Sequence, residues 1–445
     1  MKEGEKMNRF IKGTAILGLS GGMVLSTMQT SHFSSIAKAT SPTSIEQVLA
    51  KLTPQQRQAL NQLQVSSEEG LQLPSSVDLK SSANLSVIVE LKEKPAKVAV
   101  LEEAANGNNL SLSDAEQKAN EAQETFKSDL QTIYKDDLKE NNKLFKIKRT
   151  YRSSLNGVSI ELPANKVKSL LQSKAVKAVW PNNVIKIEPT TNTEGTSDSK
   201  KIATEVFPGI NKLHDEGITG KGIKVGVIDT GIDYNHPDLT DAYKGYRAQP
   251  GVDPKSISPS SVKGWDFVDN DADPMETTYD DWKKSGLAEV DSSTGSTFYT
   301  EHGTHVSGII AGRGKNNTDY AVTGVAPDAD LYVYRVLGKF GSGTTENVLG
   351  GIDKSVADGM DVINLSLGAT YNDPTDVESI AVNNAVLSGV TAVVAAGNAG
   401  DGLYSVGAPG AAALAITVGA NDTKTEIATS KGTLHGTSKY FRSFA

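Results

Sequence analysis

The chain contains no cysteine among its 445 residues. That absence excludes disulfide bonds, thiolate catalysis and zinc sites built on cysteine ligands. Aromatic residues make up only 6% of the sequence, and beyond the amino-terminal region no apolar run is long enough to span a membrane. Positive charge is also in deficit, with 45 Lys and Arg against 53 Asp and Glu. The resulting net charge of -8 argues against a nucleic-acid partner.

The amino terminus has the pattern of an export signal. Basic residues precede a small and apolar run over residues 15–28, and Ala37-Lys38-Ala39 offers a small-x-small cleavage site. The run is shorter than the roughly 20 residues that a membrane-spanning helix needs, which disfavours a membrane anchor. We therefore expect residues 1–39 to be a signal peptide and the protein to be secreted and extracellular, with attachment to a cell wall left open.

Three segments of different character follow the signal. Residues 40–84 are polar and show no strong period. Residues 85–188 suggest the order strand, helix, strand, strand, helix, strand, which is the split arrangement of a small ferredoxin-like α+β domain. That order alone is equally compatible with a generic α+β module. Residues 189–204 are rich in Thr and Ser without an apolar period, which predicts an exposed linker open to proteolysis.

From residue 205 onward, short continuous apolar runs alternate with helix-like segments. This pattern is typical of a parallel sheet that is covered by helices on both faces. We therefore predict an α/β domain over residues 205–445. The apolar runs occupy residues 224–228, 331–336, 362–367, 391–396 and 415–418.

Two polar residues in this domain are candidates for chemistry. Asp229 directly follows an apolar run, and the carboxyl ends of parallel strands border the functional crevice of such sheets. Taken alone, Asp229 is better explained as a turn residue before Gly231 than as a catalytic group. His302 begins a segment of small residues that can pack closely as a helix, and a nearby carboxylate would let it accept a proton. Asp229 is the natural candidate for that carboxylate.

A third polar candidate lies at the end of a later strand. Asn398 follows Ala396-Gly397, and its amide could donate a hydrogen bond to a developing oxyanion. In isolation the segment reads as an Asn-Gly turn. His305 lies three residues after His302, but no acidic third ligand follows, so catalysis by a metal is disfavoured.

Together these motifs resemble the subtilisin family of serine proteases over residues 220–420. The matching segments are Asp229-Thr230-Gly231, His236-Pro237-Asp238-Leu239, His302-Gly303-Thr304-His305, Asp361 with the seven residues that follow it, and Ala396-Gly397-Asn398. The resemblance implies that Asp229 orients the base, that His302 is the general base and acid, and that Asn398 lines the oxyanion hole. It implies no cofactor for catalysis, and it places structural calcium at Asp238.

The same resemblance extends to substrate binding and to the amino-terminal domain. It implies that Gly341-Ser342-Gly343 and Ser366-Leu367-Gly368 flank a protein or peptide substrate as strands. Residues 85–188 resemble the inhibitory propeptide of these proteases, so the chain's own propeptide would be its intramolecular inhibitor, with maturation by cleavage in the linker. Within the family, the likeness is to large secreted subtilases of the minor extracellular protease type.

The nucleophile is the part of the family pattern that the sequence does not supply. Gly436-Thr437-Ser438 is present, but Lys439 and Tyr440 follow where the family has small residues and then Pro. Ser438 is therefore not expected to be the nucleophile, and we expect the catalytic domain to be truncated before its nucleophile. Two explanations stay open: a fragment of a longer serine endopeptidase precursor, which we prefer, or a noncatalytic protease-binding or inhibitory protein.

Overall fold

The computed structural model describes residues 69–187, 209–316, 323–400 and 402–420. The expected signal peptide at 1–39, the linker at 189–204 and Ser438 lie outside the described residues, as does most of the polar segment 40–84. Among the described residues, every helix is too short or too polar to cross a bilayer.

The amino-terminal domain is a five-stranded sheet covered by helices. Its sheet order is β1-β5-β2-β4-β3, with antiparallel pairs throughout except for the parallel pair of β1 and β5. Strands β2 to β5 with their helices reproduce the split β-α-β-β-α-β arrangement, which confirms the ferredoxin-like prediction. The elements are β1 Gly70–Leu71, β2 Asn84–Leu91, α1 Ala96–Ala105, α2 Leu112–Ile133, α3 Lys135–Glu140, β3 Lys146–Tyr151, β4 Gly157–Pro163, α4 Ala164–Val167, a 3-10 helix Lys168–Gln172 and β5 Val176–Pro181.

Alternation along β2 explains how this sheet buries both faces. Val87 and Val89 point to the side covered by the domain's own helices, where Phe126 of α2 is also fully buried. Ile88 points the opposite way and belongs to the large hydrophobic core of the second domain. Because side chains of a strand alternate with a period of two, one strand serves two cores.

The second domain is built on a six-stranded parallel sheet, as the apolar runs predict. The strand order is β14-β13-β12-β7-β9-β8. Its strands are β7 Lys224–Asp229, β8 Trp265–Asp266, β9 Asp330–Arg335, β12 Val362–Leu365, β13 Thr391–Ala395 and β14 Ile416–Val418. Its helices are α5 Ile210–Asp215, α6 Tyr279–Ser285, α7 His302–Ala311, α8 Thr345–Ala357 and α9 Val377–Leu387, with 3-10 turns at Pro254–Ser256, Pro259–Ser261 and Lys339–Gly341.

The side on which successive strands join this parallel sheet changes between β7 and β12. Strands β8 and β9 lie on one side of β7, and β12 to β14 lie on the other. Such a change of side opens a crevice at the carboxyl ends of the two central strands. Asp229 is the last residue of β7, so the topology places it at this crevice.

A third sheet of three strands is not hydrogen-bonded to either of the other two. It has the order β10-β11-β6, formed by β10 Leu337–Gly338, β11 Ser342–Thr344 and β6 Val184–Lys186, with antiparallel pairs. The sequence suggests that residues 178–180 together with 184–187 close the amino-terminal domain. The structure differs, because β5 is the closing strand and β6 instead pairs with β11, about 160 positions further along the chain.

A buried acid on α9 makes stability depend on pH. Glu378 is fully buried in the first turn of α9. Burial raises the pKa of its carboxyl, the nearby Asp376 raises it further, and the Thr345 hydroxyl offsets only part of the effect. Since the folded state holds this proton more tightly than the unfolded state, stability falls as the pH rises from the ordinary value of 4.5 through the raised folded pKa.

Replacing Glu378 by Gln is therefore expected to stabilise the protein at pH 8 and to change little at pH 4. We expect a rise in melting temperature of at least about 3 °C at pH 8, the shift that about 1 kcal/mol produces in domains of this size. Differential scanning calorimetry at the two pH values measures it, with Glu124→Gln on the exposed face of α2 as the control. Equal melting temperatures for wild type and Glu378→Gln at pH 8 would refute this explanation.

Candidate active site

The structure brings the two candidate residues of the acid–base pair into direct contact. Asp229 ends β7 with a fully buried side chain, and His302 begins α7 with 17% of its side chain exposed. Nδ1 of His302 lies 2.7 Å from Oδ1 of Asp229. The backbone N–H of Thr230 donates to the same carboxylate oxygen at 2.7 Å. These contacts fix both the carboxylate and the ring at the edge of the crevice.

Two glycines allow the start of α7 to lie against the turn that follows β7. A Cβ on Gly303 would lie 2.2 Å from the carbonyl oxygen of Gly231 and 3.2 Å from Cβ of Asp229. Gly231 itself has φ of 135°, which side chains rarely tolerate. The backbone N–H of Gly303 donates to the Thr230 hydroxyl at 2.8 Å. The start of α7 can therefore lie directly against the turn after β7 because neither glycine carries a side chain.

Asn398 lies on the wall of a pocket at the carboxyl ends of β12 and β13. Leu367 and Gly368, two members of the predicted substrate-flanking segment, line the same pocket, as does Ile187. Ser366, the third member, accepts a hydrogen bond from the Asn364 side chain at 3.0 Å. The residues that the sequence assigns to an oxyanion site and to one substrate-flanking segment thus surround one concave space.

The other predicted substrate-flanking segment is already paired with a strand. Ser342 lies opposite Lys186 and Gly343 opposite Ile185 in the antiparallel pair of β11 and β6. The backbone N–H of Ile187 also donates to the carbonyl oxygen of Gly341 at 2.9 Å. The chain's own β6, which follows the ferredoxin-like domain, therefore occupies the edge that the sequence assigns to substrate.

Further contacts join the ferredoxin-like domain to α8, the helix that directly follows β11. Arg149 forms an ion pair with Glu346 at 3.3 Å, and the Tyr151 hydroxyl donates to the carbonyl oxygen of Glu346 at 3.0 Å. The carboxylate of Asp353 accepts the backbone N–H groups of Ser153 at 2.6 Å and Ser154 at 2.8 Å. Most of these polar groups are withdrawn from solvent together with their partners.

Asp238, where the resemblance places calcium, lies against the loop that contains Asn316. Its side chain is buried, and Oδ1 accepts the backbone N–H of Asn316 at 2.6 Å. Within the part of the chain that the structure describes, no group of three His, Asp or Glu side chains is placed to hold a metal ion. Calcium at Asp238 stays a prediction, and the carboxylate visibly stabilises the loop at Asn316.

Two residues that support the pair are not found by the sequence motifs. Arg335 at the end of β9 donates from Nε to the carbonyl oxygen of Thr230 at 3.1 Å, and its guanidinium lies 2.5 Å from the Asp266 carboxylate. Glu276 accepts hydrogen bonds from Thr230 and Thr304 on either side of the pair. The sequence offers no signal for Glu276, because it lies in an irregular loop without periodicity.

Comparisons with known proteins agree with the two-domain arrangement. Residues 220–440 match the model of the subtilase family, and residues 86–188 match that of peptidase inhibitor I9. Minor extracellular protease Vpr of Bacillus subtilis (strain 168) is 39% identical over 351 residues, which are 77% of this chain and 37% of that protein. Subtilisin E of the same strain is 35% identical over 211 residues, which are 47% of this chain and 43% of that protein.

Two further matches are more limited. The major intracellular serine protease of Bacillus subtilis (strain 168) is 37% identical over 190 residues, or 42% of this chain and 46% of that protein. The crystal structure of fervidolysin from Fervidobacterium pennivorans aligns with a TM-score of 0.42 at 19% identity, over 75% of this chain and 42% of that one. The chain thus spans less than half the length of these relatives. With its catalytic-type motifs at the crevice of a parallel sheet and an I9-type domain before them, the chain belongs to the subtilase family.

Proposed function

We propose that the chain is the precursor of a secreted serine endopeptidase in which Asp229 and His302 are the acid–base pair. The observation that carries the proposal is the 2.7 Å contact between their side chains at the crevice. An ionised carboxylate can only accept, so Nδ1 of His302 carries the proton in this contact. Nε2 is then the atom that takes the proton of a serine hydroxyl and later returns it to the leaving amine.

In this proposal Asn398 stabilises the oxyanion and two segments hold the peptide. The pocket position of Asn398 beside Gly368 supports the first role. Losing such a donor lowers the rate about 10²- to 10³-fold in subtilisin itself. The pairing of β6 with β11 supports the second role, since a substrate strand would make the same main-chain hydrogen bonds. Main-chain recognition of this kind favours a broad range of protein and peptide substrates.

The ferredoxin-like domain is proposed to be the inhibitor of its own protease. It holds β6 on the substrate edge through Arg149, Tyr151 and the Asp353 contacts. Cleavage within residues 189–204 would separate the two domains, and release of β6 would open the edge. We further propose the boundaries 85–188 for this inhibitory domain and 205–445 for the catalytic domain, with secretion directed by residues 1–39.

The matches to serine proteases favour this function over the noncatalytic alternative. The described residues include no assigned nucleophile, and Ser438, which the sequence disfavours, can be tested directly. A fluorophosphonate probe, applied to the purified chain before and after trypsin cuts the linker at Lys200 or Lys201, labels an activated serine. In a form of the protein that carries the nucleophile, we expect one labelled serine, found by peptide mass spectrometry, and loss of the label in His302→Ala.

The controls separate the outcomes of this experiment. Ser438→Ala shows whether that residue carries the label, and His214→Ala removes an imidazole remote from the pair. The endopeptidase proposal is contradicted, and the noncatalytic protein favoured, if the coding sequence ends at Ala445 and the folded chain takes no label before or after trypsin. A label that survives in folded His302→Ala would remove His302 from the mechanism.

A further inference from the structure

Glu276 is a buried carboxylate that the proposed mechanism does not use. It lies in the loop between β8 and α6 with only 6% of its surface exposed. Its Oε1 accepts from the Thr230 hydroxyl at 3.1 Å, the Thr304 hydroxyl at 3.1 Å and the Thr304 backbone N–H at 2.9 Å. Its Oε2 accepts from the Thr300 hydroxyl at 2.7 Å. Four donors therefore converge on one carboxylate.

The direction of these hydrogen bonds is set by the neighbouring backbone. The Thr230 hydroxyl already accepts the N–H of Gly303 at 2.8 Å, and the Thr304 hydroxyl accepts the N–H of Asp233 at 2.8 Å. Each hydroxyl thus accepts on one side and has its hydrogen free to donate to Glu276. A site made only of donors fits the ionised carboxylate, which accepts but cannot donate. Burial nevertheless raises the pKa of Glu276, and the hydrogen bonds oppose that rise.

The two threonines belong to the two segments that carry the acid–base pair. Thr230 immediately follows Asp229 at the end of β7, and Thr304 lies two residues after His302 in the first turn of α7. The N-cap residue of α7, Glu301, makes no side-chain capping hydrogen bond. Glu276 supplies this cap from a distant loop by accepting the N–H of Thr304.

The negative charge of Glu276 lies at the N-terminus of α7, close to His302. The N-terminus of a helix carries a partial positive charge, which disfavours a protonated imidazole on the residue that begins it. Glu276 neutralises that end of α7. The other charged groups around it are Asp229 on β7 and Arg335 on β9, and the Arg335 guanidinium is engaged by Thr277 at 2.7 Å and by Asp266. No cation is paired with Glu276 among the contacts of the described residues.

We propose that Glu276 is a positioning residue that holds the ends of β7 and α7 together and favours the protonated imidazole of His302. The inference rests on the proposed function, because it assigns Glu276 an effect on the proposed base. Glu276 touches neither the substrate edge nor the pocket that Asn398 lines. Its effect is therefore expected on the rate of proton transfer and not on substrate binding.

The test compares Glu276→Gln with Glu301→Gln in the full chain. Both variants remove one negative charge close to His302, but only the first removes the carboxylate that caps α7. The pKa of His302 is read from the ring signals of 13C-histidine-labelled protein by NMR, with His302→Ala to identify the signal. We expect Glu276→Gln to lower the pKa of His302 by roughly 0.5 to 1 unit and Glu301→Gln to shift it by much less.

If the preparation hydrolyses a peptide substrate, steady-state kinetics provides a second measurement. Glu276→Gln is expected to lower kcat about tenfold, with KM unchanged and the acid limb of the pH–rate profile moved to lower pH. Glu276→Asp, which keeps the charge, is expected to restore part of both effects. Thr300→Val removes the hydrogen bond that most lowers the pKa of Glu276, so Glu276 is neutral over more of the pH range and the pKa of His302 is expected to fall. This variant provides the test if Glu276→Gln does not fold.

The outcomes distinguish this inference from the proposed function. An equal His302 pKa in Glu276→Gln and Glu301→Gln overturns the positioning role. The same conclusion follows if Glu276→Gln cannot fold and Thr300→Val leaves that pKa unchanged. In either case the loss of probe label in His302→Ala still supports the protease. If the label survives in His302→Ala, the proposed function fails, whatever the pKa values show.

Discussion

Replacing Asp229 by Asn is expected to lower kcat for peptide hydrolysis by about 10⁴-fold. Losses of about 10⁴ are known for this change in serine proteases, and loss of the corresponding aspartate costs about 3 × 10⁴ in subtilisin itself. The structure gives the physical reason. Oδ1 of Asp229 lies 2.7 Å from Nδ1 of His302 and accepts the N–H of Thr230 at 2.7 Å. The site therefore requires a group at this position that accepts hydrogen bonds and does not donate them.

An Asn side chain at this place disturbs the tautomer of the ring. Its amide nitrogen can turn a hydrogen toward Nδ1 of His302, which moves the ring proton to Nε2 and leaves no base for the serine. KM is expected to stay the same, because the substrate edge at β11 does not involve Asp229. Steady-state kinetics on a peptide substrate measures both constants. Asp233→Asn, four residues along, is the matched control, and a loss of less than tenfold in Asp229→Asn would contradict the assignment.

Replacing Asp353 by Ala is expected to open the contact between α8 and the loop after β3. The Asp353 carboxylate accepts the backbone N–H groups of Arg152 at 3.1 Å, Ser153 at 2.6 Å and Ser154 at 2.8 Å. Each donor that is left unsatisfied costs about 1–3 kcal/mol. Water can reach part of this loop, so we take the lower end, about 3 kcal/mol for the three groups, which is roughly a 100-fold change in the opening equilibrium.

Hydrogen exchange measured by mass spectrometry on the full chain tests this change. Amides at Arg152, Ser153 and Ser154 are expected to exchange about 100-fold faster in Asp353→Ala than in wild type. Asp353→Asn keeps one oxygen acceptor and is expected to lie between the two. Amides in the middle of α2 report whether the rest of the domain is intact. Unchanged exchange at these three residues in Asp353→Ala would show that the carboxylate does not hold the loop.

The sequence predicts the parts of this molecule that follow from local pattern. Continuous apolar runs identify the strands of the parallel sheet, because a strand buried on both faces has no polar alternation. The same logic places Asp229 at the carboxyl end of β7, and chain order selects His302 as its partner. The alternation of Val87, Ile88 and Val89 likewise predicts a strand, although it does not reveal that Ile88 packs in the core of the other domain.

The parts that sequence reasoning missed depend on contacts between distant segments. Residues 184–187 predict a strand correctly, but the partner of β6 is β11, and no local property of either strand encodes that pairing. The role of Glu276 could not be predicted for the same reason, because it depends on where an irregular loop places the carboxylate. An acidic residue in such a loop is far more often solvated, so composition alone gives no reason to select it.

In the proposed protease, the chain's own strand β6 occupies the substrate edge formed by β11. Because the chain has no cysteine, an engineered pair reports on this without competing thiols. Val184 lies opposite Thr344 in the register of β6 and β11, and opposite residues in antiparallel strands lie within disulfide range. Mild oxidation of Val184→Cys/Thr344→Cys is expected to form the disulfide nearly completely, while the offset pair Val184→Cys/Ser342→Cys remains largely reduced. Equal cross-linking of the two pairs, or none in either, would contradict this pairing.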